Sequence, residues 1–323
     1  MYLVAPDSFK GTFTAPQVAA AIGRGLGRAG VGHDPCPVAD GGEGTMDVLV
    51  AARGGERVSA TAHDPLGREI QAAFALLAGG DAVVETASAS GLGLVLAAER
   101  DPERASTRGT GELIAAAIAA GARTVLVAVG GSATTDGGAG AIAAIEAAGG
   151  LRDARLEVLC DVRAPFEAAA SVFGPQKGAD PAAVKRLEAR LHELAERLPR
   201  DPRGVPMTGA AGGLSGGLWA AFGAELRPGA ATILDAVEFD RRLEAADGVI
   251  TGEGALDAQS LGGKLVGEIA ARCRAAGRPL HVIAGTVALE AAGAERLGIR
   301  SLRAASTLPE IESAAEDLAR TAT

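Results

Sequence analysis

Short apolar runs of strand type alternate with amphipathic stretches of helix type along most of this 323-residue chain. The first apolar run covers residues 2–6. A helical pattern follows over residues 15–28, with Thr14 placed to cap it and Pro16 in its first turn. The alternation predicts further strands at residues 34–38, 124–129, 157–160, 248–250, 280–284 and 299–304. It predicts further helices at residues 44–52, 112–120, 139–148, 182–198 and 264–276, and one that starts at Pro309. This rhythm is typical of βαβ units and parallel sheets.

Three apolar runs in the first third break the rhythm. Residues 57–62, 69–77 and 82–85 are separated only by the turns DPLG and AGGD, which predicts an antiparallel meander. The fold class is therefore α/β with two domains: a Rossmann-like parallel-sheet domain built from both termini and an inserted α/β domain with a mixed sheet. The DPLG and RPG turns predict boundaries that give residues 1–62 and 228–323 to the first domain and 63–227 to the second.

Charge and composition exclude several classes of protein. The net charge of -9 argues against a nucleic-acid partner, because phosphate backbones demand basic surfaces. The longest uncharged stretch, residues 204–224, is too rich in glycine for a membrane helix, and no signal peptide is visible. The three cysteines have no paired spacing, which favours a reducing cytoplasm. A homodimer is left open.

The predicted strands end in loops rich in acids, hydroxyls and glycines. In open α/β sheets, ligands bind beyond the carboxyl ends of the strands, near helix N-termini. Three loops also supply a lysine, although the whole chain has only four: Lys10, Lys177, Lys185 and Lys264. Lys185 lies in a charged helical stretch, and the other three lie beside glycines. The candidate residues of the strand-end loops are Asp7, Ser8, Asp40, Glu43, Ser132, Thr134, Asp136, Asp161, Glu253 and Asp257.

Carboxylates, lysines and glycine-lined anion pockets together indicate phosphoryl transfer. Its transition state spreads negative charge over oxygens, so the protein supplies position, cations and Mg²⁺ ligands. No G-x-x-x-x-G-K-[ST] motif is present. GLGRAG at residues 25–30 follows a helix, and we interpret it as a C-cap and turn. The glycines from Gly137 onward could instead bind a dinucleotide, which would make the chain an NAD-dependent oxidoreductase of a small hydroxy acid. A non-enzymatic sensor of small organic acids is the third alternative.

Eight segments, in this order, resemble the type I glycerate kinases: APDSFKGTFTA, PVADGGEGT, ETASASGL, GTGELI, VGGSATTDGGAG, VFGPQKGAD, GAAGGLSGG and VITGEGALDAQSLGGK. The resemblance spans nearly the whole chain. It implies a kinase that uses ATP and Mg²⁺ to phosphorylate D-glycerate, generally to 2-phosphoglycerate, in a cleft between two α/β domains. Glyoxylate, glucarate or serine-related metabolism would be its setting.

Within that interpretation the candidate residues take roles. Asp7, Lys10, Asp136, Asp257 and Lys264 are the predicted catalytic residues, with Asp257 or Asp136 as the general base. Predicted substrate contacts are Ser8, Asp40, Glu43, Ser88, Ser90, Asp161 and Glu253, of which Ser88 and Ser90 could instead cap a helix. Predicted nucleotide contacts are Gly130, Gly131, Ser132, Thr134, Gly137 and Lys177. Predicted Mg²⁺ ligands are Asp136, Asp161 and Asp257.

The chain departs from the family pattern at two places. Thr135 stands where the family usually has Asn. Residues 163–170 stand where the family usually reads like NPLCGPxGA, so two glycines and an Asn are replaced. The second change could mark an altered acceptor, a related small hydroxy acid, with the kinase chemistry kept.

Overall fold

The structure is a computed structural model that describes residues 1–9, 11–257 and 264–321. Its strands are β1 (Tyr2–Val4), β2 (His33–Pro35), β3 (Gly55–His63), β4 (Glu69–Leu77), β5 (Asp81–Glu85), β6 (Thr124–Ala128), β7 (Arg155–Leu159), β8 (Glu225–Arg227), β9 (Gly248–Leu256), β10 (Leu280–Val287) and β11 (Ile299–Ala304). Its α-helices are α1 (Ala15–Arg28), α2 (Thr45–Arg53), α3 (Ala87–Ser90), α4 (Arg108–Ala119), α5 (Ala139–Ala147), α6 (Ala169–Phe173), α7 (Pro181–Ala195), α8 (Leu214–Phe222), α9 (Gly229–Ala236), α10 (Phe239–Glu244), α11 (Leu265–Ala275), α12 (Ala291–Leu297) and α13 (Leu308–Thr321).

The chain divides into two compact units. The terminal unit comprises Met1–Asp40 and Ala230–Thr323, and its sheet has the order β11-β10-β9-β1-β2 with every pairing parallel. The inserted unit comprises Gly41–Gly229, and its sheet has the order β3-β4-β5-β6-β7-β8. The pairings β3–β4 and β4–β5 are antiparallel, and those from β5 to β8 are parallel. The predicted fold class and the predicted meander are therefore confirmed.

The first boundary between the units differs from the predicted one. The prediction placed it at residue 62, whereas the structure places it between Asp40 and Gly41. The reason is non-local pairing: β3 pairs with β4 along its whole length, from Gly55 opposite Leu77 onward, so residues 41–62 belong to the inserted unit. The DPLG turn is the connection of this hairpin. The second boundary lies at 229/230, against a predicted 227/228.

Helix α1 begins with a capping box. The Gln17 amide donates to the Thr14 hydroxyl, and the Thr14 amide donates to the Gln17 side chain, so two N–H groups at the helix start are satisfied. The helix ends at Arg28, and Gly30 adopts a left-handed φ of 73°. The interpretation of GLGRAG as a helix end and turn is confirmed.

Gly25 lets α1 approach α13 closely. A Cβ added at Gly25 would lie 2.1 Å from the main-chain oxygen of Glu312, whereas one added at Gly27 would meet nothing within 4 Å. Around this contact the buried faces of the two helices share one hydrophobic cluster, which includes Ile22 and Leu26 from α1 and Ile311 and Ala315 from α13. The glycine is thus required by packing.

We expect Gly25→Ala to lower the free energy of unfolding by about 1–3 kcal/mol, because the backbone of α13 must shift to admit the new methyl group. The matched variant Gly27→Ala should be neutral or more stable by up to about 1 kcal/mol, since alanine favours helix over glycine. Denaturant unfolding of both variants measures the difference. Equal stabilities would contradict the packing argument.

Candidate functional site

Strand ends of the terminal unit meet at a cavity of about 470 Å³. The chain passes from β1 to β2 on one side of the sheet, while β9 and β10 lie on the other side of β1, so the strand order reverses between β1 and β9. Such a reversal opens a crevice at the carboxyl edge of the sheet. We call this space the terminal-unit cavity. Its lining includes Asp7, Ser8, Phe9, Thr12, Asp40, Glu253, Asp257, Lys264, Gly285, Thr286 and Ser306.

The segment after β1 is held in extended form against β9. The Asp7 amide donates to the Gly252 carbonyl at 2.8 Å, and the Ser8 amide donates to Asp7 Oδ1 at 2.6 Å. Asp7 is only 4% exposed. The Ser8 hydroxyl is buried and has no hydrogen-bond partner within the described part of the chain. A buried hydroxyl normally has a partner, so Ser8 is available to a ligand in this cavity.

Strand β9 continues further than predicted. The prediction ended it at residue 250 and placed Glu253 in a loop, but pairing with β10 continues to Leu256 opposite Val287. Glu253 is therefore a strand residue opposite Ala284, and Asp257 follows directly after the strand. Regular pairing fixes the backbone of Glu253 more tightly than a loop would, and Asp257 is one residue beyond the last paired position.

Lys264 is the N-cap residue of α11 and lines the same cavity. A helix N-terminus carries partial positive charge. Lys264 and the start of α11 therefore bring positive charge to the cavity, which the carboxyl groups of Asp7 and Asp257 also line.

Six of the predicted site residues thus lie around one cavity, but their roles remain predictions. Asp136 and Asp161, the other two predicted magnesium ligands besides Asp257, belong to the inserted unit, so the predicted trio is split between the two units. Within the described ranges, no group of three or more histidine, cysteine, aspartate or glutamate side chains has an arrangement suited to hold a metal ion. Lys10 lies outside the described residues.

Glycine loops of the inserted unit converge at the carboxyl end of β6. The Leu92 amide donates to the Gly131 carbonyl at 2.7 Å, and the Ala133 amide donates to the Ser90 carbonyl at 2.9 Å. A Cβ added at Gly130 would lie 2.8 Å from the Cα of Gly42. Three segments that are distant in sequence, 41–44, 86–92 and 130–138, are therefore in contact. We call them the inserted-unit loop cluster.

Gly130 and Gly131 form the accessible part of this cluster. Gly131 is exposed and has a left-handed φ of 63°, which favours glycine. Among the described residues, the amides of Gly130 and Gly131 have no main-chain acceptor. Two adjacent N–H groups without acceptors are suited to bind an anion such as a phosphate.

Asp136 makes four hydrogen bonds within the inserted unit. Its carboxylate accepts from the amide and the hydroxyl of Thr107 at 2.8 and 2.9 Å, and from the amides of Gly138 and Gly140 at 3.1 and 3.2 Å. It thereby caps α5 and attaches the loop before α4. The first-turn amides that a dinucleotide pyrophosphate would need are already bonded. This arrangement counts against the oxidoreductase alternative.

Gly137 is enclosed by side chains. A Cβ there would lie 2.8 Å from the Phe166 ring and 2.6 Å from Leu194. Phe166 is fully buried and belongs to the segment that departs from the family pattern, which therefore contributes a core residue. The observed environment gives Gly137 a packing role, and its nucleotide role remains a prediction. Thr135, the other departure, is buried, and its hydroxyl has no partner within the described ranges.

Ser88 and Ser90 lie inside the short helix α3, after its N-cap Thr86. The alternative that these serines cap a helix is therefore wrong. Ser90 is fully buried and its hydroxyl oxygen accepts from the Thr110 hydroxyl at 2.7 Å. Ser88 is partly exposed. Their predicted substrate contacts remain predictions.

Glu85 is a buried acidic residue that sequence reasoning missed. It ends β5, is only 8% exposed, and accepts the Met46 amide at 2.7 Å, at the start of α2. Burial raises the pKa of the Glu85 carboxyl to about 7, although the Met46 and Gly44 amides oppose the shift. The missed signal was an acidic residue that ends an apolar strand without any glycine beside it.

The raised pKa predicts a pH-dependent stability. Folded Glu85 holds its proton up to about pH 7, whereas the unfolded chain loses it near 4.5, so the free energy of unfolding falls across that window. The fall should reach at most about 3 kcal/mol. Glu85→Gln keeps an oxygen for the Met46 amide and does not titrate, so we expect its stability relative to wild type to rise by that amount between pH 5 and pH 8.

Denaturant unfolding across this pH range measures the effect, with Glu146→Gln, an exposed position on α5, as the matched control. The free energy of unfolding of the control should vary with pH in the same way as that of wild type. If the free energy of unfolding of Glu85→Gln also follows wild type across this range, a raised pKa of the Glu85 carboxyl is contradicted.

The fold and the terminal-unit cavity define a two-unit α/β protein whose strand ends place carboxylates, hydroxyls and a lysine around one cavity. The chain belongs to the glycerate kinase family, whose sequence profile matches residues 2–149 and 145–323. A glycerate kinase from Bacillus subtilis is 38% identical over 99% of this chain and 95% of the relative. The Escherichia coli glycerate 2-kinase is 36% identical over 88% of this chain and 85% of the relative.

A solved structure supports the same assignment. It is the crystal structure of a Salmonella typhimurium LT2 protein, described there as a proposed glycerate kinase 2. The match has a TM-score of 0.83 and 33% sequence identity, and it covers 99% of this chain and 97% of the other. Family membership thus agrees with the resemblance seen in the eight sequence segments. Across the described ranges, none of the helices combines the length and the apolar character needed to cross a membrane.

Proposed function

We propose that this chain transfers the γ-phosphoryl group of ATP to the 2-hydroxyl group of D-glycerate, giving ADP and 2-phosphoglycerate. The observation that carries the proposal is the terminal-unit cavity, in which Asp7, Asp257 and Lys264 surround space for a small anion at the strand reversal. Membership in the glycerate kinase family supports the substrate. The name of the Escherichia coli relative, glycerate 2-kinase, supports the position of transfer.

The reaction forms one bond and breaks one. The glycerate hydroxyl oxygen attacks the γ-phosphorus, the bond from that phosphorus to the ADP oxygen breaks, and the hydroxyl proton passes to a carboxylate. We assign Asp257 as this base. Asp257 directly follows β9 and lines the terminal-unit cavity, whereas Asp136 belongs to the inserted unit and its carboxylate accepts four hydrogen bonds there.

We assign acceptor binding to the positive charge at the start of α11. Lys264 and the N-terminus of α11 would hold the glycerate carboxylate or the transferring phosphoryl group, and the buried Ser8 hydroxyl would donate to it. Lys10 would add a second ammonium on the basis of its sequence position. Asp7, Asp40 and Glu253 would accept hydrogen bonds from the glycerate hydroxyls.

ATP binding is assigned to the inserted-unit loop cluster. The accessible amides of Gly130 and Gly131 would donate to phosphate oxygens. Glu43 is an exposed neighbour of these glycines, since its carboxylate lies 3.9 Å from the position of a Cβ added at Gly131.

The donor set of the terminal-unit cavity fits Mg²⁺. Asp7, Asp40, Glu253 and Asp257 offer carboxylate oxygens, which this hard cation prefers, and it commonly uses only one or two of them together with phosphate oxygens and water. When bound, Mg²⁺ would supply positive charge to the phosphate oxygens. We assign Asp7 as a ligand of Mg²⁺, because Asp257 is assigned as the base, and Asp161 remains a candidate from the sequence.

The acceptor panel tests the proposal. Purified chain with ATP and Mg²⁺ should release ADP fastest with D-glycerate, more slowly with lactate, which offers only a 2-hydroxyl, and not with 3-hydroxypropionate, which offers only a 3-hydroxyl. The reverse order for the last two acids would move the transfer to the 3-hydroxyl. Binding of D-glycerate without ADP release from any acid would favour the sensor alternative and contradict the proposal.

We place the reaction in the cytoplasm. Cys36, Cys160 and Cys273 are all unpaired and buried, which agrees with a reducing compartment. Mass measurement of the intact protein from an oxidising preparation should give no disulfide.

A further inference from the structure

Lys177 lies in a turn between α6 and α7 whose other residues are mostly exposed, but its own side chain is buried. The turn comprises residues 174–178, a 3₁₀ helix over Pro175–Lys177 followed by Gly178 with a left-handed φ of 99°. Lys177 is only 2% exposed although its side chain carries an ammonium group. An isolated buried ammonium is expensive in free energy, so its surroundings must compensate for the lost hydration.

The compensation comes from the glycine-rich loop after β6. Lys177 Nζ donates to Ser132 Oγ at 3.0 Å and to the Thr134 carbonyl at 2.5 Å. Within the described ranges no carboxylate forms a salt bridge with Lys177. Burial lowers the pKa of the Lys177 ammonium to about 7, and the negative charge of Asp136 acts in the opposite direction. The ammonium therefore donates both of these hydrogen bonds to this loop.

The same loop is held from a second side. The Ala133 amide donates to the Ser90 carbonyl, the Leu92 amide donates to the Gly131 carbonyl, and Ser132 forms an antiparallel bridge with Gly91. Residues 132–134 are thus clamped between the segment 90–92 and the Lys177 ammonium. Gly130 and Gly131, which precede the clamp, keep amides without main-chain acceptors in the described part of the chain.

We infer that Lys177 is a positioning residue that fixes the Gly130–Gly138 loop for the phosphates of ATP and does not itself contact them. This inference rests on the proposed function and revises the predicted direct contact of Lys177 with nucleotide. A side chain that is enclosed and already bonded to the loop cannot extend to a ligand outside it without breaking both bonds. Its effect on ATP is transmitted through the loop backbone.

The test separates this inference from the proposed function. Lys177→Met keeps an unbranched side chain that is only one atom shorter, but it leaves Ser132 Oγ and the Thr134 carbonyl without their donor. In the protein without nucleotide, hydrogen–deuterium exchange of amides 130–138 should accelerate at least about tenfold, while exchange in the terminal unit stays unchanged. Lys185→Met, at an exposed position on α7, is the matched control. It should change neither the exchange of amides 130–138 nor the exchange in the terminal unit.

Calorimetric titration with ATP and Mg²⁺ completes the test. We expect Lys177→Met to weaken ATP binding about tenfold or more while D-glycerate binding is kept. Unchanged exchange with weakened ATP binding would mean direct phosphate contact and would overturn the inference. Accelerated exchange with unchanged ATP binding would overturn it as well, since the loop would then not serve the nucleotide. Absence of ADP release by wild type is a separate result that counts against the proposed function alone.

Ser132→Ala removes one of the two acceptors of the Lys177 ammonium and retains the charge. It should accelerate the exchange of amides 130–138 and weaken ATP binding less than Lys177→Met does.

Discussion

Asp257→Asn is expected to lower kcat about 10²- to 10⁴-fold, the range typical of losing a general base. Asp257 directly follows β9, whose pairing with β10 to Leu256 fixes the backbone that presents it to the terminal-unit cavity. An amide keeps the shape of the carboxyl group but cannot accept the hydroxyl proton. The thermal midpoint should therefore change little, and the loss should fall on kcat.

The control is Asp317→Asn, an exposed carboxyl on α13 of the same unit. It should leave kcat and KM unchanged. Steady-state rates of ADP release with D-glycerate, together with melting curves of both variants, are the measurements. A kcat for Asp257→Asn within twofold of wild type would remove Asp257 from the base role.

Lys264→Met is expected to lower kcat/KM for D-glycerate by about 10²- to 10³-fold, comparable to the removal of one preorganised donor from a site where charge develops. Lys264 caps α11 and lines the cavity, so its loss removes the one full positive charge that the described residues contribute there. The α11 N-terminus would retain only a partial charge.

Lys185→Met is also the control for Lys264→Met, because Lys185 is exposed on a different helix, α7. It tests whether loss of any lysine lowers the rate through net charge alone. Equal losses in the two variants would contradict a local role for Lys264. A loss confined to Lys264→Met, with an unchanged melting temperature, would agree with it.

Local periodicity was sufficient for most of the fold. The capping residues of α1 and the turns between β3, β4 and β5 are encoded within a few neighbouring residues, so their prediction was accurate. The helices α3, α6, α8, α9, α10 and α12 and the strand β8 were missed. In α8, glycine and alanine in residues 214–222 give no clear hydrophobic period. The first domain boundary depended on which strand pairs with β3. The residues of one segment do not determine its pairing partner, so this boundary could not be predicted from local sequence.

In the candidate site, too, the positions of the residues could be predicted from the sequence, whereas their surroundings could not. Asp7, Ser8, Asp40, Glu253, Asp257 and Lys264 were named because parallel strands end at one edge, and topology alone then brings them to one cavity. The environment of each residue could not be predicted in this way. Asp136 and Lys177 have similar sequence signals to the cavity residues, yet their side chains are bonded within the inserted unit. Burial and hydrogen-bond partners depend on the packed structure, so they separate positioning residues from candidates for direct contact.

The phosphorus NMR spectrum of one reaction mixture tests the central claim most directly. Purified chain, ATP, Mg²⁺ and D-glycerate should convert the γ-phosphate signal of ATP into ADP and a new phosphomonoester signal. That signal should be split into a doublet by the single hydrogen on carbon 2 of 2-phosphoglycerate. Persistence of the ATP signals, or their conversion to inorganic phosphate alone, would contradict phosphoryl transfer to glycerate by this chain.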